Sequence, residues 1–265
     1  MAERPASLES QTGARGVRTG PDDEAARAAA KIDELMEKAS QDLAQRRYFE
    51  SAARSWNALF MARRIADLER MARITMPLQE ARRQIREIAC EQGPAVLVRG
   101  PEDLPQPFRA GCYLVQPPMI GADGRALRLT AEKRKIEAFV LTREPMTRKG
   151  LWPLVGVGVV STRAQVKPPV ELERVEDRMT KDAFDGPIPI EWFVAAGEAL
   201  GDAAIAKLDP EHSPWWHVDD LLEALDAVPE HEKLHQRLER ACREAMVAPI
   251  PDEPRPGPHY DPTSF

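Results

Sequence analysis

Two histidines four residues apart, in the run His231-Glu232-Lys233-Leu234-His235, have the spacing in this chain that most directly suggests chemistry. On a helix, this spacing places both imidazoles on one face, where they could hold one zinc ion. Glu232 would lie one step round the helix, where its carboxylate could take a proton from metal-bound water. The run therefore suggests His231 and His235 as metal ligands and Glu232 as the catalytic base of a zinc-dependent hydrolase.

The pattern around this motif leaves a second interpretation open. Steps of 100° per residue along the predicted helix place both histidines among its apolar residues, so both imidazoles face the packed side. That position suits buried histidines bonded to backbone carbonyls equally well. Lys233 and Arg237 add positive charge, and the candidates for a third ligand are His212, His217 or an acidic residue of segment 171–185. These observations favour packed core histidines and no cofactor, with zinc as the alternative.

Composition and charge narrow the class of protein. The chain has 265 residues, of which 43% are hydrophobic, and a formal net charge of −6. This content is enough to bury a core, and the negative charge argues against a dominant surface for nucleic acid or anionic membrane. The longest apolar run, Leu154 to Val160, is far shorter than the roughly 20 residues that span a bilayer. We therefore expect no membrane segment and no nucleic-acid partner.

The first residues and the cysteines indicate the compartment. Residues 1–24 lack the apolar core of a signal peptide. Cys90, Cys112 and Cys242 are an odd number of widely spaced cysteines, which favours neither a disulfide framework nor a thiolate zinc site. We expect reduced thiols in a cytoplasmic protein.

The apolar residues of the first two predicted helices carry a family resemblance. Over residues 33–65 their spacing resembles that of a tetratricopeptide-repeat helix pair, at Leu43, Phe49, Ala52, Trp56 and Leu59. The resemblance covers one repeat, because the next would place Pro77 inside its first helix. It implies one helical hairpin that packs like such a repeat.

Periodicity and turn residues predict an α+β fold that is mainly helical. It combines an N-terminal helical hairpin, a small central α/β sheet unit and C-terminal helices. The predicted segments are a disordered tail over 1–23, a helical region over 24–92, an α/β unit over 93–170, a helical region over 171–247 and a Pro-rich disordered tail over 248–265.

Local signals predict further elements and boundaries within these segments. Pro77 should break or kink the helical region before a third helix. Ala122-Asp123-Gly124 predicts a turn before a helix over 125–135. The strands are predicted over 95–99, 112–116, 136–143 and 153–166, and Pro229 is expected to start the last helix.

Residues 44–87 hold ten arginines and five acidic residues, a local excess of positive charge that could bind RNA phosphates. Acids at helical spacing, such as Glu50 before Arg54, favour a solvated helix face instead, and the arginines could also dock onto acidic surface elsewhere in the chain. Without a complete catalytic set, we predict a non-enzymatic protein that binds another protein. A zinc-dependent hydrolase and an RNA-binding protein are the alternatives.

Overall fold

The computed structural model describes residues 21–170 and 184–255. These residues contain seven helices: α1 (Pro21–Ala44), α2 (Tyr48–Arg64), α3 (Leu68–Cys90), α4 (Gly121–Arg134), α5 (Ile190–Ala206), α6 (Pro214–Ala227) and α7 (Glu232–Val247). They also contain five strands: β1 (Val96–Val98), β2 (Gly111–Val115), β3 (Ala138–Thr142), β4 (Trp152–Val157) and β5 (Ser161–Val166). The predicted α+β, mainly helical class is confirmed. No helix in these ranges is both long and apolar enough to cross a membrane.

An N-terminal hairpin of α1 and α2 is held together at its turn by Asp42. This carboxylate is buried and accepts hydrogen bonds from Arg47 Nε at 2.9 Å and Arg54 Nε at 2.6 Å. Burial opposes its charge, but the two guanidiniums outweigh burial and hold the pKa of Asp42 below its ordinary value. Arg46 has a φ of 58°, which lets the chain reverse between the helices. The predicted helical hairpin is thus present.

The expected break at Pro77 is wrong. Pro77 lies inside α3, and the chain breaks earlier, where Ala66 has a φ of 54° and the Asp67 side chain caps α3 through the Arg70 amide at 3.0 Å. An internal proline costs roughly 3 kcal/mol in an isolated helix. Ile74 and Leu78 are fully buried on either side of Pro77, and such packing stabilises a helix more than local propensity does.

The central unit contains a parallel sheet in the order β1-β2-β3, and α4 connects β2 to β3. The predicted turn at residues 122–124 is wrong, because these residues form the first turn of α4. The Asp123 carboxylate accepts the Ile120 amide at 2.8 Å there. Aspartate and glycine serve helix starts as well as turns, so the local signal did not separate the two structures.

The predicted strand over 153–166 is instead an antiparallel hairpin of β4 and β5, with Val157 opposite Ser161. The Gly158 amide donates to the Val160 carbonyl at 2.9 Å and closes the turn. A side chain at Gly158 would lie 2.6 Å from the Ala227 amide, so the turn packs directly against the end of α6. The two glycines in this run therefore allow a turn and a close backbone contact.

One continuous hydrophobic core joins all three predicted regions, with Leu59, Leu114, Phe193 and Leu238 among its members. The predicted tails and connector lie partly outside the described residues. Within the predicted C-terminal tail, Arg255 is described, and its guanidinium contacts Asp220 at 3.1 Å and Glu223 at 2.6 Å on α6. This contact ties the chain after α7 back to α6.

Candidate functional site

His231 precedes α7 and caps it. The helix begins at Glu232, so the expected start at Pro229 is wrong and His231 does not project from a helical turn as His235 does. Its Nδ1 accepts a hydrogen bond from the Leu234 amide at 3.2 Å, which satisfies one of the free amides at the helix start. The accepting Nδ1 carries no proton, so in the neutral ring the proton is on Nε2.

The other ring nitrogen of His231 faces two acids on α5. Nε2 lies 3.3 Å from an oxygen of Glu198 and 3.3 Å from an oxygen of Asp202. Both are close enough for electrostatic attraction, although neither contact has the geometry of a hydrogen bond. Burial nevertheless lowers the pKa of His231 and outweighs the attraction of both acids. The ring is therefore mainly neutral at pH 7 and packs closely against Gly201, where a side chain would overlap it.

Glu232, the predicted catalytic base, ties α7 to α3. Its carboxylate accepts a hydrogen bond from Arg86 Nη2 at 2.5 Å. Arg86 Nη1 also donates to Glu198 at 2.8 Å and to the Glu230 carbonyl at 3.2 Å. One guanidinium thus joins α3 to both α5 and the start of α7, and the Glu232 carboxylate has a structural partner.

His235 is buried in the core beneath the turn that precedes α7. Its Nε2 lies 2.9 Å from the Pro229 carbonyl, which can only accept, so Nε2 carries the proton. Burial is the largest cause that lowers the pKa of His235, to about 4, and the hydrogen bond to Pro229 only partly offsets it. The imidazole is therefore neutral at pH 7 and holds the turn against the helix.

One nitrogen of each of the two histidine rings is bonded to the backbone. His231 Nδ1 is directed to Leu234 and His235 Nε2 to Pro229. His212 and His217, two of the candidate third ligands, both contact Asp209 instead. Within residues 21–170 and 184–255, no three His, Cys, Asp or Glu side chains are arranged to hold a metal ion. The acids of segment 171–183 lie outside the described residues.

The arginines of α2 and α3 are mostly paired within the chain. Arg54 pairs with Asp42 rather than with Glu50, whose partner is Lys135. Of the ten arginines in residues 44–87, all but Arg46 and Arg64 form ion pairs within the described part of the chain: Arg47, Arg54, Arg63, Arg70, Arg73, Arg82, Arg83 and Arg86. Most of the charge that suggested phosphate binding is therefore matched by carboxylates.

A cleft with a volume of about 300 Å³ lies where α2, α3 and α4 meet the turn after α6. We call it the aromatic cleft, because Phe49 and Trp56 of α2 form one wall. Its lining also includes Ala52, Ala53, Asn57, Arg82, Arg128, Leu129, Glu132, Leu225, Asp226 and Pro229.

Two guanidiniums lie at the polar side of the aromatic cleft. Arg82 Nη1 donates to Glu132 at 2.6 Å, and Arg128 Nη2 donates to the Asp226 carbonyl at 2.7 Å. Burial opposes the charges of Arg82 and Glu132, but their attraction outweighs it, so the pKa of Arg82 is raised and that of Glu132 is lowered. Arg82 Nε is fully buried and has no acceptor among the described residues. A buried donor without an acceptor costs free energy.

The apolar wall of the cleft continues onto the surface. The rings of Trp56 and Phe60 meet edge to face, with centroids 5.1 Å apart. Phe60 is 44% exposed, and Leu129, which lines the cleft from α4, is 46% exposed. Phe49, Trp56 and Phe60 recur at helical spacing, which indicated only a packed face in the sequence. The sequence could not show that part of this face has no covering element within the described structure.

No protein-family model, curated protein or solved structure matches this chain significantly.

Proposed function

We propose that this protein is a non-enzymatic binding protein and that its aromatic cleft receives a short peptide segment of a partner protein. The observation that carries this proposal is the juxtaposition of Trp56, on the cleft wall, with Arg82, whose buried Nε lacks an acceptor. Tryptophan and arginine are enriched among the residues that dominate binding energy at protein interfaces.

The shape of the surface favours a peptide over a small metabolite. A volume of about 300 Å³ is at the low end for ligand pockets and accommodates one or two side chains. The apolar surface extends beyond the cleft to Phe60 and Leu129, where a longer chain would bury further area. A segment that anchors one side chain in the cleft and lies across this rim fits both features.

The charges around the cleft define the chemistry of the peptide. Arg82 and Arg128 are balanced by Glu132 and Asp226, so the lining carries no net formal charge. A polyanion would meet these two carboxylates, so the lining favours a ligand with little or no net charge. We infer an apolar or aromatic anchor beside one carboxylate or backbone carbonyl.

Selection from a random peptide library, followed by fluorescence polarisation with the selected peptides, tests this proposal. Trp56→Ala should weaken binding at least about thirtyfold, because loss of an interface hot spot costs roughly 2 kcal/mol or more. Phe60→Ala should weaken it less, by roughly threefold, since this ring lies at the rim. Met76→Ala is the matched control, because Met76 is an apolar side chain on α3 that is 75% exposed and does not line the cleft.

Trp56 is partly buried, so urea denaturation must show that the variant is folded at the assay temperature. The more exposed Phe60 gives a second measurement with less risk to the fold. Peptides that bind Trp56→Ala and Phe60→Ala as tightly as the native chain would exclude the aromatic cleft as their site.

The zinc-hydrolase and RNA-binding alternatives stay predictions. RNA binding through residues 44–87 should weaken steeply as salt concentration rises, and its absence at low salt would exclude that alternative.

A further inference from the structure

Two cysteines that are far apart in the sequence meet where α3 packs on the parallel sheet. Cys90 is the last residue of α3, and Cys112 is the second residue of β2. Their Sγ atoms are 3.6 Å apart. A disulfide has a sulfur–sulfur distance of about 2.05 Å, so closure requires an approach of roughly 1.5 Å.

The surroundings of the two thiols differ. Cys90 is partly exposed, whereas Cys112 is 1% exposed, so a reagent from solvent reaches Cys90 first. Arg86 lies one helical turn before Cys90 and favours a negative charge there. The hydrogen bond with Cys112 is the largest cause that lowers the pKa of Cys90, and Arg86 adds to it against burial and Glu87. The same hydrogen bond, together with burial, raises the pKa of Cys112.

This asymmetry assigns a different role to each thiol, because the thiolate is the nucleophile in cysteine chemistry. Cys90 is the partner that reacts with an oxidant, and Cys112 remains a thiol until Cys90 has been oxidised. Cys242 lies in α7, is fully buried, and burial raises its pKa to about 12. Cys242 therefore serves as an internal reference for an unreactive cysteine.

We propose that Cys90 and Cys112 form a dithiol site that reacts with hydroperoxides and closes to a disulfide. The Cys90 thiolate attacks the peroxide oxygen and the O–O bond breaks, which forms a sulfenic acid and releases hydroxide, or alkoxide from an organic hydroperoxide; the leaving group then takes a proton from water. Cys112 sulfur then attacks the Cys90 sulfur, the S–O bond breaks, and the hydroxyl group leaves as water with the Cys112 proton. The two thiols lose two electrons and two protons, and the peroxide is reduced by two electrons.

Closure would join the end of α3 covalently to the sheet. This link would restrict the unfolded chain, so the oxidised protein should have a higher unfolding midpoint than the reduced protein. Because the site lies apart from the residues that line the aromatic cleft, its chemistry can be tested independently of peptide binding.

The test is treatment of the folded, full-length protein with hydrogen peroxide, followed by intact-mass measurement and non-reducing peptide mapping. We expect the mass to fall by two hydrogen atoms and the thiols that can be alkylated after denaturation to decrease from three to one. The map should contain a peptide with Cys90 linked to Cys112, with Cys242 still free. Dithiothreitol should restore all three thiols.

Two variants test the oxidation of Cys90 and the closure of the disulfide separately. Cys112→Ser should stop at the Cys90 sulfenic acid, which dimedone traps, whereas Cys242→Ala should form the disulfide as the native chain does. Three free thiols after peroxide treatment of the native protein, or oxidation of Cys90 that leaves Cys112 free, would overturn the proposal. Both outcomes are measured on the native chain, so the conclusion does not require that every variant folds.

Discussion

The turn around His231 and His235 and the aromatic cleft differ in how far solvent reaches their side chains. In the turn, His231 bonds to Leu234, Glu232 to Arg86 and His235 to Pro229. Both histidines are buried, and one nitrogen of each ring, His231 Nε2 and His235 Nδ1, has no hydrogen-bond partner among the described residues. In the cleft, Arg82 Nε has no acceptor in the described residues, and aromatic side chains border solvent.

This comparison shows that a motif with catalytic spacing can consist of structural contacts. The same three residue types that bind and activate water at a zinc ion also cap a helix, bridge two helices and support a turn. The cleft has no motif, yet it leaves apolar side chains uncovered beside two guanidiniums, and a ligand can bury that apolar surface. We therefore expect changes in the turn to alter stability and changes in the cleft to alter binding.

Replacement of His235 by alanine should produce the largest loss of stability. The variant loses a buried side chain and leaves the Pro229 carbonyl without its donor, so we expect a decrease of about 2–4 kcal/mol in the free energy of unfolding. Urea denaturation measures this change, with Gln236→Ala at an exposed position of the same helix as the control. A loss of stability below about 0.5 kcal/mol would contradict a structural role for His235.

The stability of the protein should depend on pH through the same side chain. The pKa of His235 is about 4 in the folded protein and about 6.5 in the unfolded chain. Between these values the unfolded state binds the additional proton, so acidification from pH 6.5 to 4 should lower the free energy of unfolding, by up to about 1.4 kcal/mol per pH unit.

Other groups titrate in the same range and require a difference measurement. The lowered pKa of His231 acts in the same direction, whereas the pKa of buried Glu230, which burial raises, acts in the opposite direction. We therefore expect a shallower pH dependence in His235→Gln than in the native chain, measured as urea midpoints from pH 7 to 4. Equal slopes in the two proteins would show that folding does not lower the pKa of His235.

Gly201→Ala should give a smaller loss that depends on His231. Alanine is the better helix former by about 1 kcal/mol, but its side chain would overlap the imidazole, and overpacking costs roughly 1–3 kcal/mol. We expect a net loss of up to about 2 kcal/mol from these opposing contributions. In the His231→Ala background the same substitution should stabilise the protein, because only the helix propensity remains. A double-mutant cycle of unfolding free energies measures this coupling, and additive effects would contradict the close contact.

Glu232→Gln should have the smallest effect. The ion pair with Arg86 is partly exposed, with 30% of the Glu232 side chain accessible, so we expect a loss below about 1 kcal/mol and unchanged peptide binding. Metal analysis by elemental mass spectrometry tests the zinc alternative on the same variants. About one zinc per chain that is lost in His231→Ala and retained in Glu232→Gln would favour the hydrolase and contradict our interpretation of the turn.

Local sequence signals predicted the helical hairpin, the central strands and the C-terminal helices, but they misplaced several boundaries. Pro77 was expected to break or kink the helical region, but α3 continues through it without a break, and Ile74 and Leu78 are buried on either side. The run 153–166 was expected to be one strand, and its turn depends on the contact of Gly158 with Ala227 of α6. In both cases tertiary packing outweighs a local preference.

The sequence analysis considered residues of the cleft separately, but it did not predict that they lie next to one another. Phe49 and Trp56 have the spacing of an ordinary packed helix face, and Arg82 belonged to a group of arginines interpreted by their total charge. Cys90 and Cys112 were interpreted as separate thiols for the same reason, because 22 positions divide two sulfurs that lie 3.6 Å apart.

The sequence by itself determined the mainly helical α+β class and the absence of a long apolar run, because periodicity and composition depend on neighbouring residues. Only the tertiary structure decided which partner each charged or reactive side chain has. Arg86 meets Glu198 and Glu232 across more than 110 positions, and Arg82 meets Glu132 across 50. Such contacts follow from how the helices pack. His231, whose spacing suits a zinc ligand, therefore caps α7, and Glu232 forms an ion pair with Arg86. Faces of α2, α3 and α4 that carry no sequence motif together line the aromatic cleft.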